Sequence, residues 1–133
     1  MNDKLVVGIA DMKMAQGSGM LVTYALGSCI GICLYDPMLK LAALLHIMLP
    51  LNLETGRKSP LKYADTGIRE TLREMERRGA KRARVTAKIA GGAQMFAAIT
   101  NSSISNIGQR NIAAVKETLA KLRIPIIADD TGK

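Results

Sequence analysis

The sequence has no tryptophan and very little phenylalanine, histidine or cysteine. Its 133 residues include one Phe, one His and two Cys. Two cysteines cannot build the disulfide framework of a small secreted protein. One histidine and two cysteines, without a CxxC or HxxxH spacing, do not supply a zinc-binding set. We therefore expect free thiols, no metal site and no cofactor.

Long apolar runs are also missing. The longest, from Leu39 to Leu51, includes a lysine, a histidine and a proline and is too short to cross a bilayer. Asp11 interrupts the first apolar run too early for a signal peptide. Apolar residues make up 48% of the chain, which is typical of a globular protein long enough to build a core. We expect a single domain over residues 1–133 in the cytoplasm.

Positive charge is in excess, with a formal net charge of +8. Eight basic residues lie between Arg69 and Lys88. Such a run is typical of a solvated helix face, a nucleic-acid-binding surface or a surface that attracts an acidic protein. No aromatic residue is interleaved with these charges, so bases would have no stacking platform. We therefore expect an acidic protein partner and no nucleic acid.

The apolar pattern predicts several strands followed by alternating helices and strands. Strands are predicted at residues 5–10, 20–25, 30–35, 41–49, 84–90 and 124–128, a loop at 13–19, and helices at 61–78 and from Asn106 to about Leu122. Asn106 and Gln109 fit a capping box, and Gly91-Gly92 predicts a tight turn or a close backbone approach. The order predicts an α/β or α+β layered domain with mixed sheets and helices outside.

Cys29 and His46 are the strongest candidates for chemistry. Cys29 follows Gly27 and Ser28, where glycine permits an unusual turn and successive backbone N–H groups can point at one oxyanion. His46 lies in an otherwise apolar predicted strand, where a buried imidazole needs partners. If this strand pairs antiparallel with the strand after Cys29, His46 returns to the end of the sheet where Cys29 lies.

The residues alone leave alternatives open. Most free cysteines are small buried apolar residues, and a core histidine can simply bond a carbonyl. Cys33, in the middle of a predicted strand, is interpreted as such a buried core thiol. A third residue should orient a catalytic imidazole. Thr23 and Asp36 are both candidates for this role, and their spacing does not choose between them.

Six segments carry a family resemblance. In chain order they are LGSCIGICLYDP, LLHIMLP, KYADTGI, KIAGGAQMF, IGQRNI and ADDTG. Together they resemble the chemoreceptor glutamine deamidase (CheD) family of bacterial and archaeal chemotaxis over nearly the whole chain. The resemblance implies a layered α-β-β sandwich with two main helices outside. It also implies Cys29 as nucleophile, His46 as general base and acid, and Thr23 as the residue that orients His46.

The resemblance further implies a substrate and a partner. The substrate would be glutamine side chains of methyl-accepting chemotaxis receptors, with glutamate methyl esters as a second class. The partner would be the chemotaxis phosphatase CheC, and the alternative function is a non-catalytic binding regulator of that phosphatase. Family members usually continue past ADDTG, so we expect a domain shortened at its C-terminus.

Overall fold

The structure is a computed structural model that describes residues 4–52, 59–94 and 106–133. Over these ranges the elements in chain order are β1 Lys4–Val6, β2 Asp11–Gln16, β3 Met20–Val22, β4 Ile30–Asp36, β5 Leu41–Ile47, α1 Ala64–Arg77, β6 Thr86–Gly91, α2 Ile107–Lys121 and β7 Ile126–Thr131. Short 3-10 turns at Pro60–Lys62 and Arg82–Arg84 precede α1 and β6. No helix in the described ranges is long and apolar enough to cross a membrane.

Five strands form one mixed sheet in the order β2-β5-β4-β6-β7. The first three pairings are antiparallel, and β6 pairs with β7 in parallel. Alternate residues of β4 and β5, among them Ile32 and Leu45, are fully buried in one core with α1 and α2 residues such as Ile68 and Leu119. Both helices therefore cover the same face of the sheet.

The opposite face of the sheet is partly covered by the segment after β3. Strands β1 and β3 pair in parallel as a separate two-stranded ribbon. Thr23 and Leu26, which follow β3, fill the space above Gly31 of β4. The molecule therefore has helices on one side of the main sheet and the ribbon segment on the other. The predicted α/β class, with a mixed sheet and two main helices, is confirmed.

Several local predictions were wrong. The strand predicted at 5–10 ends at Val6, because the chain turns at Ile9 and Ala10 before β2. The predicted loop at 13–19 is mostly strand β2, because Met12 and Met14 alternate with polar residues and pack against the core. The predicted capping box is absent, since the backbone of Asn106 is not extended (φ −101°, ψ 6°) and its side chain makes no capping bond. The predicted helix at 61–78 is divided, because Tyr63 is extended between the 3-10 turn and α1.

Much of the basic segment is paired within the fold. Arg73 bonds Glu70 at 2.7 Å and Arg77 bonds Glu74 at 2.8 Å along the exposed side of α1. Both are pairs three residues apart, the spacing at which helical neighbours meet. This part of the charge run is therefore a solvated helix face, which was the simplest of the three interpretations.

Candidate active site

Strand pairing brings Cys29 and His46 to the same end of the main sheet. In the β4–β5 ladder, Gly31 pairs with His46 and Ile30 with Ile47. Cys29 directly precedes Ile30 and so lies at this end. Ile47 belongs to the core under the helices, and side chains alternate along a strand, so His46 belongs to the opposite face. That is the face on which Thr23 lies.

Two consecutive hydrogen bonds hold His46 and set its tautomer. Its ring is only 1% exposed, and its Nδ1 lies 2.8 Å from Thr23 Oγ1. The same hydroxyl donates to the carbonyl of Val7 at 2.7 Å. A hydroxyl has one proton to donate, so Thr23 must accept from His46, and Nδ1 carries the hydrogen. In the neutral imidazole, which burial favours by lowering the pKa of His46, Nε2 is then left unprotonated with its lone pair available.

The Nε2 atom of His46 is buried and has no hydrogen-bond partner in the described part of the chain. No hydrogen bond between this atom and the Cys29 thiol is therefore formed in this structure. Burial lowers the pKa of His46 below its ordinary value and raises the pKa of the half-buried Cys29 thiol. Both shifts favour a neutral imidazole and a neutral thiol, and not a preformed thiolate–imidazolium pair.

Asp36 lies at the other end of the sheet and does not contact His46. It pairs with Leu41 at the far end of β4, five residues along from the Gly31–His46 pair. Its buried carboxylate accepts bonds from Arg84 Nη2 at 2.9 Å and from the Lys81 backbone N–H at 3.0 Å. The bond from Arg84 is the main cause that lowers the pKa of Asp36 to about 2. Asp36 is therefore a structural anion.

The backbone of the Cys29 turn is anchored by the end of β6. The Gly92 N–H donates to the Cys29 carbonyl and the Ala93 N–H to the Gly27 carbonyl, both at 2.8 Å. Gly91 has a φ of +107°, and a side chain there would collide with the Cys29 carbonyl oxygen. The close backbone approach predicted for the Gly-Gly pair is thus confirmed, and its purpose is to support the turn that carries Cys29.

The anchoring directs two backbone N–H groups away from the hydrogen bonds that hold the turn. The Gly27 carbonyl points at Ala93, so the N–H on the other side of that trans peptide, from Ser28, points the opposite way. By the same argument the Gly27 N–H opposes the Leu26 carbonyl, which accepts the Cys29 N–H at 2.8 Å. The Cys29 N–H is thus already used, whereas those of Gly27 and Ser28 are turned outward.

Asn111 is a buried polar residue that the sequence analysis missed. It lies on α2, is fully buried, and donates from Nδ2 to the carbonyls of Ser28 at 2.9 Å and Met48 at 3.0 Å. The available signal was an amide within the buried stripe of α2, beside Ile112. Its partners are 83 and 63 residues away in the chain, so the sequence did not indicate what it contacts.

Cys33 is not the core thiol that was predicted. It is only partly buried, because it lies on the sheet face opposite the helices, between Leu44 and Lys88 in the ladder. These three residues line a groove of about 290 Å³ that also reaches Thr23. Burial raises the pKa of Cys33, partly opposed by the charge of Lys88. Cys33 lies two positions after Gly31, the ladder partner of His46, and Cys29 lies two positions before it, so the two cysteines stand on opposite sides of His46 along the sheet.

In the ranges that the structure describes, no three His, Cys, Asp or Glu side chains are grouped so as to hold a metal ion. What the arrangement offers is a thiol, an oriented imidazole and outward backbone donors, the components of nucleophilic acyl transfer.

Comparison with known proteins identifies the family. The family model described as CheD chemotactic sensory transduction matches residues 48–133. A "Probable chemoreceptor glutamine deamidase CheD" from Caldanaerobacter subterraneus is 54% identical over 96% of this chain and 80% of its own length. A protein of the same name from Syntrophomonas wolfei is 51% identical over 99% of this chain and 83% of its own length. The "Chemoreceptor glutamine deamidase CheD" of Halalkalibacterium halodurans is 46% identical over 99% of this chain and 83% of its own length. The chain belongs to the CheD family.

Proposed function

We propose that this chain is a chemoreceptor glutamine deamidase, an amidohydrolase that converts glutamine side chains of chemotaxis receptors to glutamate, with Cys29 as nucleophile. Its relatives of 46–54% identity carry that name. The observation that carries the proposal is the state of His46. Its Nδ1–H is fixed on Thr23 while its bare, buried Nε2 lies at the end of the sheet where Cys29 lies.

The first half of the reaction forms a thioester. His46 Nε2 takes the proton of the Cys29 thiol, and the sulfur attacks the Cδ carbonyl carbon of the glutamine side chain. The C=O electron pair moves to oxygen, and the outward N–H groups of Gly27 and Ser28 stabilise the oxyanion. When the oxyanion collapses, the C–N bond breaks. His46 gives its proton to the leaving nitrogen, which departs as ammonia.

The second half releases glutamate. His46 takes a proton from a water molecule, whose oxygen attacks the thioester carbonyl, and the C–S bond breaks. The proton on His46 returns to the Cys29 sulfur, and the substrate keeps a carboxyl group. A glutamate methyl ester would follow the same steps with methanol as leaving group, so we include it as a second substrate class.

The absence of a hydrogen bond between Cys29 and His46 Nε2 in this structure is consistent with this proposal. Catalytic hydrogen bonds are often long in the free enzyme and shorten only when substrate is bound. The neutral thiol and neutral imidazole favoured by burial suit a base that takes the proton as the attack occurs. Thr23 keeps Nε2 in the accepting state needed for that step.

The product experiment uses the second cysteine as a matched control. Receptor fragments are incubated with wild type, Cys29→Ala and Cys33→Ala, and glutamine-containing peptides are analysed by mass spectrometry. We expect a gain of about one mass unit at specific glutamines, the signature of amide hydrolysis, with wild type and Cys33→Ala only. Folded Cys29→Ala that deamidates as fast as wild type would refute the proposal.

The CheC-type phosphatase partner implied by the resemblance belongs to the same proposal. We propose that it binds this chain whether or not Cys29 is present, because binding does not need the nucleophile. Titration of Cys29→Ala with the phosphatase tests this. Binding without any deamidation by wild type would favour the alternative, a non-catalytic regulator.

A further inference from the structure

Asn111 connects the two segments that carry the proposed nucleophile and base. One of its amide hydrogens bonds the carbonyl of Ser28, directly before Cys29. The other bonds the carbonyl of Met48, two residues after His46. A single side chain of α2 thus joins the turn before β4 to the end of β5. Both candidate residues lie at this end of the sheet.

The chemistry of the amide allows one orientation only. Both partners are carbonyl oxygens, which accept hydrogen bonds, so only the NH₂ group can face them. The NH₂ group has two hydrogens, and both are used. Asn111 Oδ1 is buried without a hydrogen-bond partner in the described part of the chain, a cost that the fold tolerates in order to place the two donors.

We propose that Asn111 is a positioning residue that fixes the Cys29 turn relative to the strand of His46. The proposal rests on the function assigned above to these two residues. Gly92 and Ala93 hold the turn from the end of β6, and Asn111 of α2 ties it to Met48, directly after β5. The Ser28 carbonyl and the Cys29 N–H share one peptide plane, so the bond from Asn111 also sets the direction in which the Cys29 backbone leaves the turn.

Loss of the amide should loosen the turn without unfolding the domain. Without Asn111, the carbonyls of Ser28 and Met48 lose a partly buried donor, but the bonds from Gly92 and Ala93 remain. The turn then gains freedom to move relative to His46. A shift of about 1 Å at a catalytic pair can reduce the rate about a hundredfold. We therefore expect a fall of roughly tenfold to a hundredfold in kcat with little change in KM.

The test uses Asn111→Ala and Asn111→Ser, both in a Cys33→Ser background so that Cys29 is the only thiol. Three quantities are measured on folded protein: exchange of the Gly92 and Ala93 amide hydrogens, the rate of Cys29 alkylation by iodoacetamide across pH, and kcat. The control is Thr71→Val, which removes a buried hydroxyl bond to the Gly67 carbonyl at 2.8 Å on α1. This control separates general loss of a buried bond from loss at the turn.

We expect faster exchange at Gly92 and Ala93 in a folded Asn111 variant, an altered pH profile of alkylation and a lower kcat, with Thr71→Val like wild type. Exchange and alkylation equal to those of Thr71→Val would overturn the proposal, even if stability fell. Failure of the proposed function is distinguishable. In that case Cys29→Ala would keep the deamidase activity, while exchange and alkylation would still report whether Asn111 holds the turn.

Discussion

The replacement Thr23→Val tests the part of the site that depends on a single hydroxyl group. Valine has nearly the shape of threonine but can neither accept from His46 Nδ1 nor donate to the Val7 carbonyl. The bonds lost are 2.8 Å and 2.7 Å long and are partly buried. The substitution removes the group that keeps the proton on Nδ1 and changes little else in the packing above Gly31.

The expected magnitude follows from the two groups left without partners. An unsatisfied buried polar group costs about 1–3 kcal/mol, and His46 and Val7, whose groups lose their partners, are each 1% exposed, so we expect a stability loss of about 2–6 kcal/mol. The tautomer with its proton on Nε2, which cannot accept the thiol proton, becomes populated. If about 1.4–2.7 kcal/mol of transition-state stabilisation is lost with it, kcat falls roughly tenfold to a hundredfold.

The assay compares Thr23→Val with Thr23→Ser. Serine keeps the hydroxyl and loses one methyl group, so its kcat should stay within about threefold of wild type. Deamidation rates are measured by mass spectrometry at saturating receptor, and urea unfolding confirms that each variant is folded under assay conditions. A folded Thr23→Val with kcat within threefold of wild type would show that the hydroxyl does not orient His46.

Three further predictions concern the turn, the far end of the sheet and pH. Gly91→Ala should destabilise the folded protein by about 1–3 kcal/mol and lower kcat, because the new side chain collides with the Cys29 carbonyl. Gly8 has open space around it, so Gly8→Ala should match wild type in both unfolding and deamidation. Asp36→Asn should cost about 2–3 kcal/mol in urea unfolding because it leaves Arg84 unpaired, yet kcat should not change. The stability that ionised Asp36 contributes is fully present above pH 3.8, and it is lost as the pH falls towards the folded-state pKa of about 2. Because the pKa of His46 is lowered by burial, the unfolded chain takes up its proton first, so stability should fall as pH drops below 6.5, and a His46→Gln variant should lack this slope.

The arrangement of the hairpin was predictable from local pattern. Two short apolar segments with Asp36-Pro37 between them predict neighbouring strands, and the antiparallel pairing, which the sequence left as a condition, returns His46 towards Cys29. Strand β2 was missed because Gly17 and Gly19 directly after it indicate a loop, and the alternation of Met12 and Met14 is a weaker signal. The glycines in fact end the strand.

Contacts that depend on tertiary placement could not be predicted. Asn111 meets the Cys29 turn only because α2 packs over that end of the sheet, 83 residues along the chain from Ser28. The partner of Asp36 is Arg84, 48 residues away, which is why spacing could not decide between Asp36 and Thr23 beside His46. Hydrogen-bond partners of this kind are set by the packed fold and leave no local periodicity.

The most direct test of the central claim is to trap the acyl-enzyme. A receptor peptide is mixed with wild type, Cys29→Ser and Cys33→Ser, quenched in acid within the first turnover, and the intact proteins are weighed by mass spectrometry. We predict that wild type and Cys33→Ser gain the mass of the peptide minus that of ammonia, about 17 mass units, and that Cys29→Ser gains no adduct, which assigns the thioester to Cys29. Glutamate formation at full rate with no adduct on Cys29, or with the adduct on Cys33, would contradict the account.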